Sequence, residues 1–273
     1  MGKKRKRHNE APQHHANHPA VRSAIDDFVA PEIEGAHLYT EKDEMPWDLQ
    51  PYWKHRHSLF SLYDHGIWTT DDSWFEVTPE SVANKIAEHV AATKPKDRLI
   101  MLDCFAGVGG NAIAFALSGY KRVYAIEKNM AALECARHNA KIYGVHNRIT
   151  FFHGDCFELL GLDDGKSGRK IDELVAVIKK AGIIFGSPPW GGPSYKDADI
   201  MNLENMPYSL DFMYSRFSQV TKNMVLYLPR TGDLNQIADC VEQEDKAQIV
   251  HYCICENSKA LCAYLGSWKD IEV

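Results

Sequence analysis

Hydrophobic positions between residues 96 and 273 alternate between short apolar runs and stretches with an apolar residue every three or four positions. The runs predict β-strands, whereas the wider spacing predicts amphipathic helices. Strands are predicted at 98–105, 122–127, 149–155, 182–187, 223–228, 248–256 and 260–265, and helices at 110–117, 129–143 and 172–180. This alternation predicts an α/β fold, a doubly wound, mostly parallel seven-stranded sheet with helices on both faces. Only Asn257–Lys259 separate the last two runs, which predicts a terminal antiparallel hairpin.

A small helical extension is predicted before this domain. Thr78-Pro79-Glu80 has the residue types of a helix start, and apolar residues follow it at helical spacing. Upstream, aromatic residues are interleaved with basic ones, which predicts a short amphipathic helix from Pro51 to about Tyr63 and a turn at Asp64–Gly66. The predicted organisation is a disordered basic tail at 1–20, the extension at 21–95 and the main domain at 96–273.

Charge limits the kind of partner. The chain has 31 basic and 37 acidic residues, a formal net charge of −6. Met1–Arg7 holds five bases and no acid, so the remainder carries −6 − 5 = −11. A body this acidic predicts that nucleic acid is held at a small basic site rather than along a broad face. The basic run itself is typical of a nuclear localisation signal or of a loose tail that attracts RNA, with a solvated charge run as the alternative.

Membrane and metal partners are not expected. The chain has no apolar run of about eighteen residues that could span a bilayer. Cys253 and Cys255 lie near His251, but one residue separates the two thiols and no second ligand pair follows. We expect these cysteines to be reduced core residues and expect no metal site.

Three predicted strands end in acids. The first opens the glycine-rich turn Asp103-Cys104-Phe105-Ala106-Gly107-Val108-Gly109-Gly110-Asn111. Glycines let a ligand lie against the backbone, and an acid before them suits a cationic amino-acid group better than a pyrophosphate. Glu127 ends the second strand, where it can accept both hydroxyls of a ribose, and Asp155 follows the third, where it suits an adenine amine. Together they predict a nucleoside site at one edge of the sheet.

The fourth strand leads into the most specific motif of the chain, Ser187-Pro188-Pro189-Trp190-Gly191-Gly192-Pro193. Two prolines stiffen the turn and remove two amide donors, which leaves backbone carbonyls as acceptors. An exocyclic amine could donate to the Ser187 hydroxyl and the Pro188 carbonyl while its ring stacks on Trp190. The motif therefore predicts a site that presents the amino group of a base.

These motifs resemble class I S-adenosylmethionine-dependent methyltransferases that act on amino groups. Longer matches resemble the trimethylguanosine synthases, namely Tyr52-Trp53, Leu59-Phe60-Ser61, Asp64-x-Gly66-Ile67, Trp74-Phe75-x-Val77-Thr78-Pro79-Glu80 and Ser187-Pro188-Pro189-Trp190-Gly191-Gly192-Pro193-x-Tyr195. The resemblance runs from about Pro51 to Gly266. That family usually has Asp-Ala-Phe-Cys-Gly after strand one and Asp after strand two. Here Asp103-Cys104-Phe105-Ala106-Gly107 and Glu127 replace them, and we expect cofactor binding to persist.

The resemblance implies transfer of two methyl groups to N2 of the 7-methylguanosine cap of small nuclear and nucleolar RNAs, with S-adenosylmethionine as cofactor. Trp190 would stack on the guanine, with Ser187 and Pro188 beside its amine, and residues 21–95 would contribute to the cap site. The implied phosphate ligands are Lys54, Tyr195, Arg230 and Lys259. The implied cofactor ligands are Thr78, Asp103, Phe105, Gly107, Gly109, Asn111, Glu127 and Asp155. A nuclear location, also nucleolar or cytoplasmic, and RNA–protein particle partners are further expectations.

Two other functions use the same motifs. The acceptor could be an adenine N6 or a protein glutamine, because related enzymes with Pro-Pro-aromatic turns methylate both. A cap-binding module that kept the fold without activity is the other alternative, although acids at all three strand ends favour an enzyme.

Overall fold

The computed structural model describes residues 30–93, 100–192, 199–241, 247–269 and 271. The tail at 1–20, expected to be disordered, lies outside the described residues, and so does Tyr195. The boundary placed at 95/96 also falls outside them and stays a prediction.

One sheet organises the described chain. Its strands are β1 (Ile100–Asp103), β2 (Val123–Glu127), β3 (Ile149–His153), β4 (Gly182–Gly186), β5 (Met224–Pro229), β6 (Ala247–Ile254) and β7 (Asn257–Leu265). They are arranged in the order β3-β2-β1-β4-β5-β7-β6. The first five are parallel, whereas β7 is antiparallel to both β5 and β6. The predicted fold class is therefore confirmed, and the carboxyl ends of β1 to β4 lie at the same edge.

Helices cover both faces of this sheet. They are α1 (Arg56–Leu59), α2 (Ser73–Glu76), α3 (Glu80–Thr93), α4 (Gly110–Leu117), α5 (Met130–Ile142), α6 (Cys156–Leu159), α7 (Asp172–Ala181), α8 (Leu210–Phe217) and α9 (Leu234–Asp239). Local sequence explains their ends: the Asn129 side chain accepts from two backbone N–H groups at the start of α5, and Gly144 adopts φ +69° after its end. One core cluster joins α3, α4 and α5 to the sheet, and the other joins α6 to α9 to its opposite face.

The extension differs from its sequence prediction. A single helix from Pro51 to Tyr63 is wrong, because a 3₁₀ segment at Gln50–His55 continues into α1, which ends at Leu59. Phe60 then turns extended, and its ring is buried at 2% exposure. The predicted turn appears as a 3₁₀ segment at Tyr63–His65 that ends at Gly66 with φ +90°. Burial of the aromatic side chains overrides the helical spacing here.

The extension is held to the sheet by a buried amide. Asn139 of α5 is fully buried, and its Nδ2 donates to the carbonyls of Trp68 at 2.9 Å and Val108 at 3.0 Å. Its Oδ1 accepts from the Trp68 N–H at 2.9 Å. Because Val108 belongs to the glycine turn, this side chain links the extension to the strand ends.

The hairpin forms as predicted, but its turn lies earlier. Cys255 and Glu256 form the turn with φ +48° and +64°, a pair of left-handed residues that matches the twist of a two-residue hairpin loop. Lys259 is therefore inside β7 rather than in the turn. The core placement expected for Cys253 and Cys255 is wrong, since both are exposed. In the part of the chain described by the structure, no helix has the length and apolar character to cross a membrane.

Candidate active site

A cavity of about 500 Å³ opens at the carboxyl edge of the sheet. Much of its wall comes from the glycine turn after β1, the ends of β2 and β3, the Ser187–Trp190 turn after β4, and the extension from Thr70 to Pro79. Some residues of the segment 52–59 also line it, as do Tyr208, Tyr227 of β5 and Lys259 of β7. Predicted site residues on its wall are Thr78, Phe105, Gly107, Asn111, Glu127, Asp155, Ser187, Pro188, Trp190 and Lys259. The fold thus brings together motifs that are far apart in the sequence.

Two glycines of the turn after β1 have different roles, one facing the cavity and one packing against α5. Gly107 has φ +51°, and a Cβ there would meet nothing within 4 Å, so its backbone is open to the cavity. Gly109 has φ +97°, and a Cβ there would lie 3.1 Å from the Cα and Cβ of Ala136 on α5. Gly109 is absent from the cavity wall. Its place in the motif is explained by close packing of the turn against α5.

Glu127 is fixed at the end of β2 by two backbone donors. Its Oε2 accepts from the Gly107 N–H and its Oε1 from the Asn129 N–H, both at 2.8 Å. These bonds join the ends of β1 and β2 and hold the carboxylate at the cavity wall. Each oxygen keeps a lone pair for a ligand hydroxyl.

Asp103 lies behind the wall rather than on it. It is fully buried, and its Oδ1 accepts from the Phe105 N–H at 3.3 Å. Burial raises its pKa to about 7, and the charge of Glu127 adds to this, while the bond from Phe105 opposes it. Oδ2 is buried without a hydrogen-bond partner. The structure therefore places Asp103 beneath the glycine turn.

The extension contacts the turn through Thr78. Asn111 Nδ2 on α4 donates to Thr78 Oγ1 at 3.1 Å, and both residues line the cavity. Asn111 Oδ1 is buried with no partner. A buried acceptor without a donor is costly, so this oxygen is suited to a ligand donor.

Asp155 both caps a helix and faces the cavity. Its Oδ1 accepts from the Phe157 N–H at 2.9 Å at the start of α6, and its Oδ2 from the Tyr208 hydroxyl at 3.3 Å. Lys128 Nζ donates to the same hydroxyl at 2.9 Å. Tyr208 lies on the wall, with its ring 5.3 Å from that of Phe105. No sequence motif marks Tyr208, because it lies about fifty residues from its partner acid.

Trp190 lines the cavity and is held by Tyr227, another residue of the cavity wall. Its ring stacks on Tyr227 of β5, with centroids 5.4 Å apart and planes at 29°. Its Nε1 donates to the Tyr227 carbonyl at 3.3 Å. Ser187 and the buried Pro188 line the same cavity. The indole is thus held beside the turn whose oxygens could accept an amine.

The predicted basic residues differ in how close they lie to the cavity. Lys259 and His55 line it, and burial together with the charges of Lys54 and Lys259 lowers the pKa of His55. Arg230 is brought next to Lys259, because its Nη1 donates to the Ser258 carbonyl at 3.3 Å. Lys54 is exposed, and the structure places neither it nor Arg230 on the cavity wall. His55 was not anticipated, although it lies within the basic aromatic stretch.

Comparison with known proteins decides the family. Residues 98–268 match the family model described as RNA cap guanine-N2 methyltransferase. The chain belongs to this family. It is 35% identical over 225 residues to the trimethylguanosine synthase of Schizosaccharomyces pombe, covering 81% of this chain and 87% of that protein. It is 38% identical over 193 residues to the trimethylguanosine synthase of Saccharomyces cerevisiae, covering 70% of this chain and 57% of the yeast protein.

Structural similarity supports the same fold. A Porphyromonas gingivalis crystal structure assigned as a methyltransferase superimposes with a TM-score of 0.57 at 13% identity, covering 82% of this chain and 51% of that one.

The family match and the two relatives establish the activity. The chain is an S-adenosylmethionine-dependent methyltransferase that acts on N2 of an RNA cap guanine.

The cavity fits the cofactor of a cap methyltransferase. A nucleoside with a cationic amino-acid group needs acceptors, and Glu127, Asp155 and the unpartnered Asn111 Oδ1 supply them. The open backbone at Gly107 leaves room for close approach. This set of acceptors therefore agrees with S-adenosylmethionine.

Two further wall residues were not singled out from the sequence of this methyltransferase, Trp74 and Glu76 of α2. The Glu76 side chain is exposed to solvent through the open cavity. Partial desolvation by the surrounding protein, together with the negative charges of Asp72 and Glu127, raises its pKa to about 7. Trp74 belongs to the motif Trp74-Phe75-x-Val77-Thr78-Pro79-Glu80, in which position 76 is not specified, and periodicity alone does not show which side chains of this segment face a ligand.

Proposed function

We propose that this methyltransferase adds two methyl groups in succession to N2 of 7-methylguanosine, giving the 2,2,7-trimethylguanosine cap of small nuclear and nucleolar RNAs. The observation that supports this most strongly is the anchored Trp190 ring on the cavity wall beside Ser187 and Pro188. The names of the two yeast relatives point to the same product.

Trp190 accounts for selection of a 7-methylated base. Methylation at N7 makes the guanine cationic, and a cation over an indole gains about 0.5–2 kcal/mol from the ring quadrupole. Tyr227 stacks on one face of the indole, so the base would stack on the opposite face. The site would therefore bind 7-methylguanine in preference to guanine.

Ser187 and Pro188 would orient the guanine amine. The Ser187 hydroxyl and the Pro188 carbonyl are the acceptors of the turn, and the buried proline ring fixes their positions. When bound, S-adenosylmethionine supplies a methyl group on an electrophilic sulfonium. Orientation of the amine can lower the barrier by about 7–11 kcal/mol. We therefore assign these residues a positioning role and no general base.

The cofactor would lie along the strand ends. We assign the ribose hydroxyls to Glu127, the adenine amine to Asp155, and the amino-acid part to the turn of Gly107 and to Asn111 with Thr78. Asp103 and Gly109 would act indirectly, by supporting this turn. Phe105, on the wall beside Tyr208, would contact the adenine.

Cap phosphates would bind at the mouth of the cavity. Lys259 lies on the cavity wall, and Arg230 contacts the neighbouring Ser258. The charges of Lys54 and Lys259 both lower the pKa of His55, another residue of the cavity wall. Tyr195 completes the proposed set, although it lies outside the described residues. A triphosphate needs only a few local bases, which is consistent with the acidic body of the chain.

An acceptor panel tests the proposed function. Methyl transfer from labelled cofactor is measured with 7-methylguanosine diphosphate, GDP, adenine-containing RNA and a glutamine peptide. The proposal expects transfer to the first and little to GDP. Preference for the adenine or glutamine substrate would support an alternative acceptor, and cofactor binding without transfer to any of them would indicate a binding module.

The proposed compartment is the nucleus, including the nucleolus, where proteins of RNA–protein particles would be the expected partners. The basis is the basic run Lys3-Lys4-Arg5-Lys6-Arg7. Replacing its five bases with glutamine in a fluorescent fusion should shift the protein to the cytoplasm. Unchanged nuclear accumulation would contradict this role of the run.

A further inference from the structure

A buried donor on the cavity wall has no partner among the described residues. Trp74 is 2% exposed, and its indole Nε1 makes no hydrogen bond. Indole nitrogen is only a donor, and a buried tryptophan N–H normally finds an acceptor. An unpaired donor at the wall of a ligand site therefore points to an acceptor on the ligand.

The Trp74 indole packs against three aromatic rings of the extension. Its centroid lies 5.6 Å from that of Tyr63, 6.2 Å from Trp53 and 6.3 Å from Tyr39. Trp74 belongs to the same core cluster as these rings. This packing prevents the N–H from turning out to solvent.

The segment that carries Trp74 covers the glycine turn. Val77 and Thr78 follow α2, and a Cβ at Gly110 would lie 3.5 Å from Val77 Cγ1. Thr78 Oγ1 accepts a hydrogen bond from Asn111 Nδ2 at the start of α4. Trp74 thus belongs to the part of the wall that adjoins the turn after β1.

Sheet order shows which part of the cofactor reaches this wall. The neighbouring strands β3, β2, β1 and β4 lead in turn to Asp155, Glu127, the glycine turn and Ser187. With adenine and ribose at the first two acids, the amino-acid part lies at the turn. This orientation rests on the adenosine contacts proposed above.

The amino-acid part carries an ammonium and a carboxylate. Asn111 Oδ1 and the acids of the wall can accept from the ammonium. The carboxylate needs a donor, and Trp74 Nε1 is the one donor of the cavity wall that is buried without a partner among the described residues. We propose that Trp74 Nε1–H donates a hydrogen bond to the cofactor carboxylate and so positions the methyl donor.

Two ligands that differ in this group test the contact. S-adenosylhomocysteine has the carboxylate, whereas 5′-methylthioadenosine lacks the whole amino-acid part. Trp74→Phe keeps an aromatic ring at this position and removes the donor, so it should raise the Kd of S-adenosylhomocysteine about tenfold in calorimetry, the size of one charge-assisted bond. The Kd of methylthioadenosine should not change. Trp53→Phe, in the same ring cluster but off the cavity wall, is the matched control and should change neither.

The result that overturns the proposal is equal binding of S-adenosylhomocysteine by Trp74→Phe and wild type, or equal weakening of both ligands. Failure of the adenosine assignment has a different signature, because Glu127→Gln would then leave methylthioadenosine binding unchanged. If Trp74→Phe does not fold, ¹⁵N spectra of the six indoles in the wild-type protein decide. One indole N–H should shift with S-adenosylhomocysteine and not with methylthioadenosine, and the absence of such a signal refutes the contact.

Discussion

Replacing Trp190 with alanine removes the ring on which the cap guanine is proposed to stack. The indole lies on the cavity wall, and its support from Tyr227 comes through a ring contact at 5.4 Å and a hydrogen bond at 3.3 Å. The substitution deletes the stacking surface and leaves Ser187 and Pro188 in place. It therefore tests recognition of the base separately from the acceptors of its amine.

The expected loss follows from the interactions removed. Stacking of a base on an aromatic ring contributes about 1–3 kcal/mol, so Trp190→Ala should lower kcat/KM for 7-methylguanosine diphosphate roughly 5- to 150-fold. The cation–π contribution of about 0.5–2 kcal/mol applies only to the methylated base. Preference for 7-methylguanosine diphosphate over GDP should therefore fall roughly 2- to 30-fold.

The assay is methyl transfer from labelled cofactor at limiting acceptor, with cofactor affinity measured in parallel. Trp190→Phe is the graded variant: it keeps a ring but loses the bond to the Tyr227 carbonyl, a change of about 0.5–1.5 kcal/mol, and should cost about two- to tenfold. Trp47→Ala is the matched control, because Trp47 is 84% exposed and lies off the cavity wall. Wild-type kcat/KM and wild-type discrimination in Trp190→Ala would refute the stacking role.

Three further predictions concern the cofactor site and the fold. Glu127→Gln turns an amide donor toward a backbone N–H and should raise the Kd of S-adenosylhomocysteine about 10- to 100-fold in calorimetry, whereas Glu134→Gln on α5, the control, should not. Asp103 has a pKa raised by burial, so wild-type unfolding free energy should fall relative to Asp103→Asn by about 2–4 kcal/mol as pH rises from about 4 to about 7. A pH-independent difference would contradict it. Asn139→Ala removes three buried hydrogen bonds and should cost about 2–4 kcal/mol in urea unfolding, and a loss below about 0.5 would count against the tether.

The sheet could be predicted because each strand is a continuous apolar run bounded by turn residues. Helix α4 was predicted with the same ends that the structure shows, since Gly110 and Gly119 frame an apolar segment. Helices α8 and α9 were not predicted, although the side chains of Ser209 and Asp233 cap their starts. The position of the hairpin turn was predicted wrongly because Cys255 and Glu256 adopt the left-handed conformation. Glycine or asparagine usually occupies such positions, so these two residues give no turn signal in the sequence.

The site could be predicted as far as strand ends determine it. Glu127 ends a strand, and Asp155 and Trp190 lie within a few residues of a strand end, so sheet topology brings them to one cavity. The burial of a side chain cannot be predicted from strand ends in this way. Asp103 is fully buried although it stands at the start of the glycine turn. Tyr208 was missed because its contact with Asp155 depends on tertiary packing.

The most direct test is a crystal structure of the complex with 7-methylguanosine diphosphate and S-adenosylhomocysteine. The account predicts that the methylated guanine stacks on Trp190, with its N2 amine toward the Ser187 hydroxyl and the Pro188 carbonyl and facing the cofactor sulfur. A guanine bound away from the indole, or with N2 directed away from the sulfur, would contradict it.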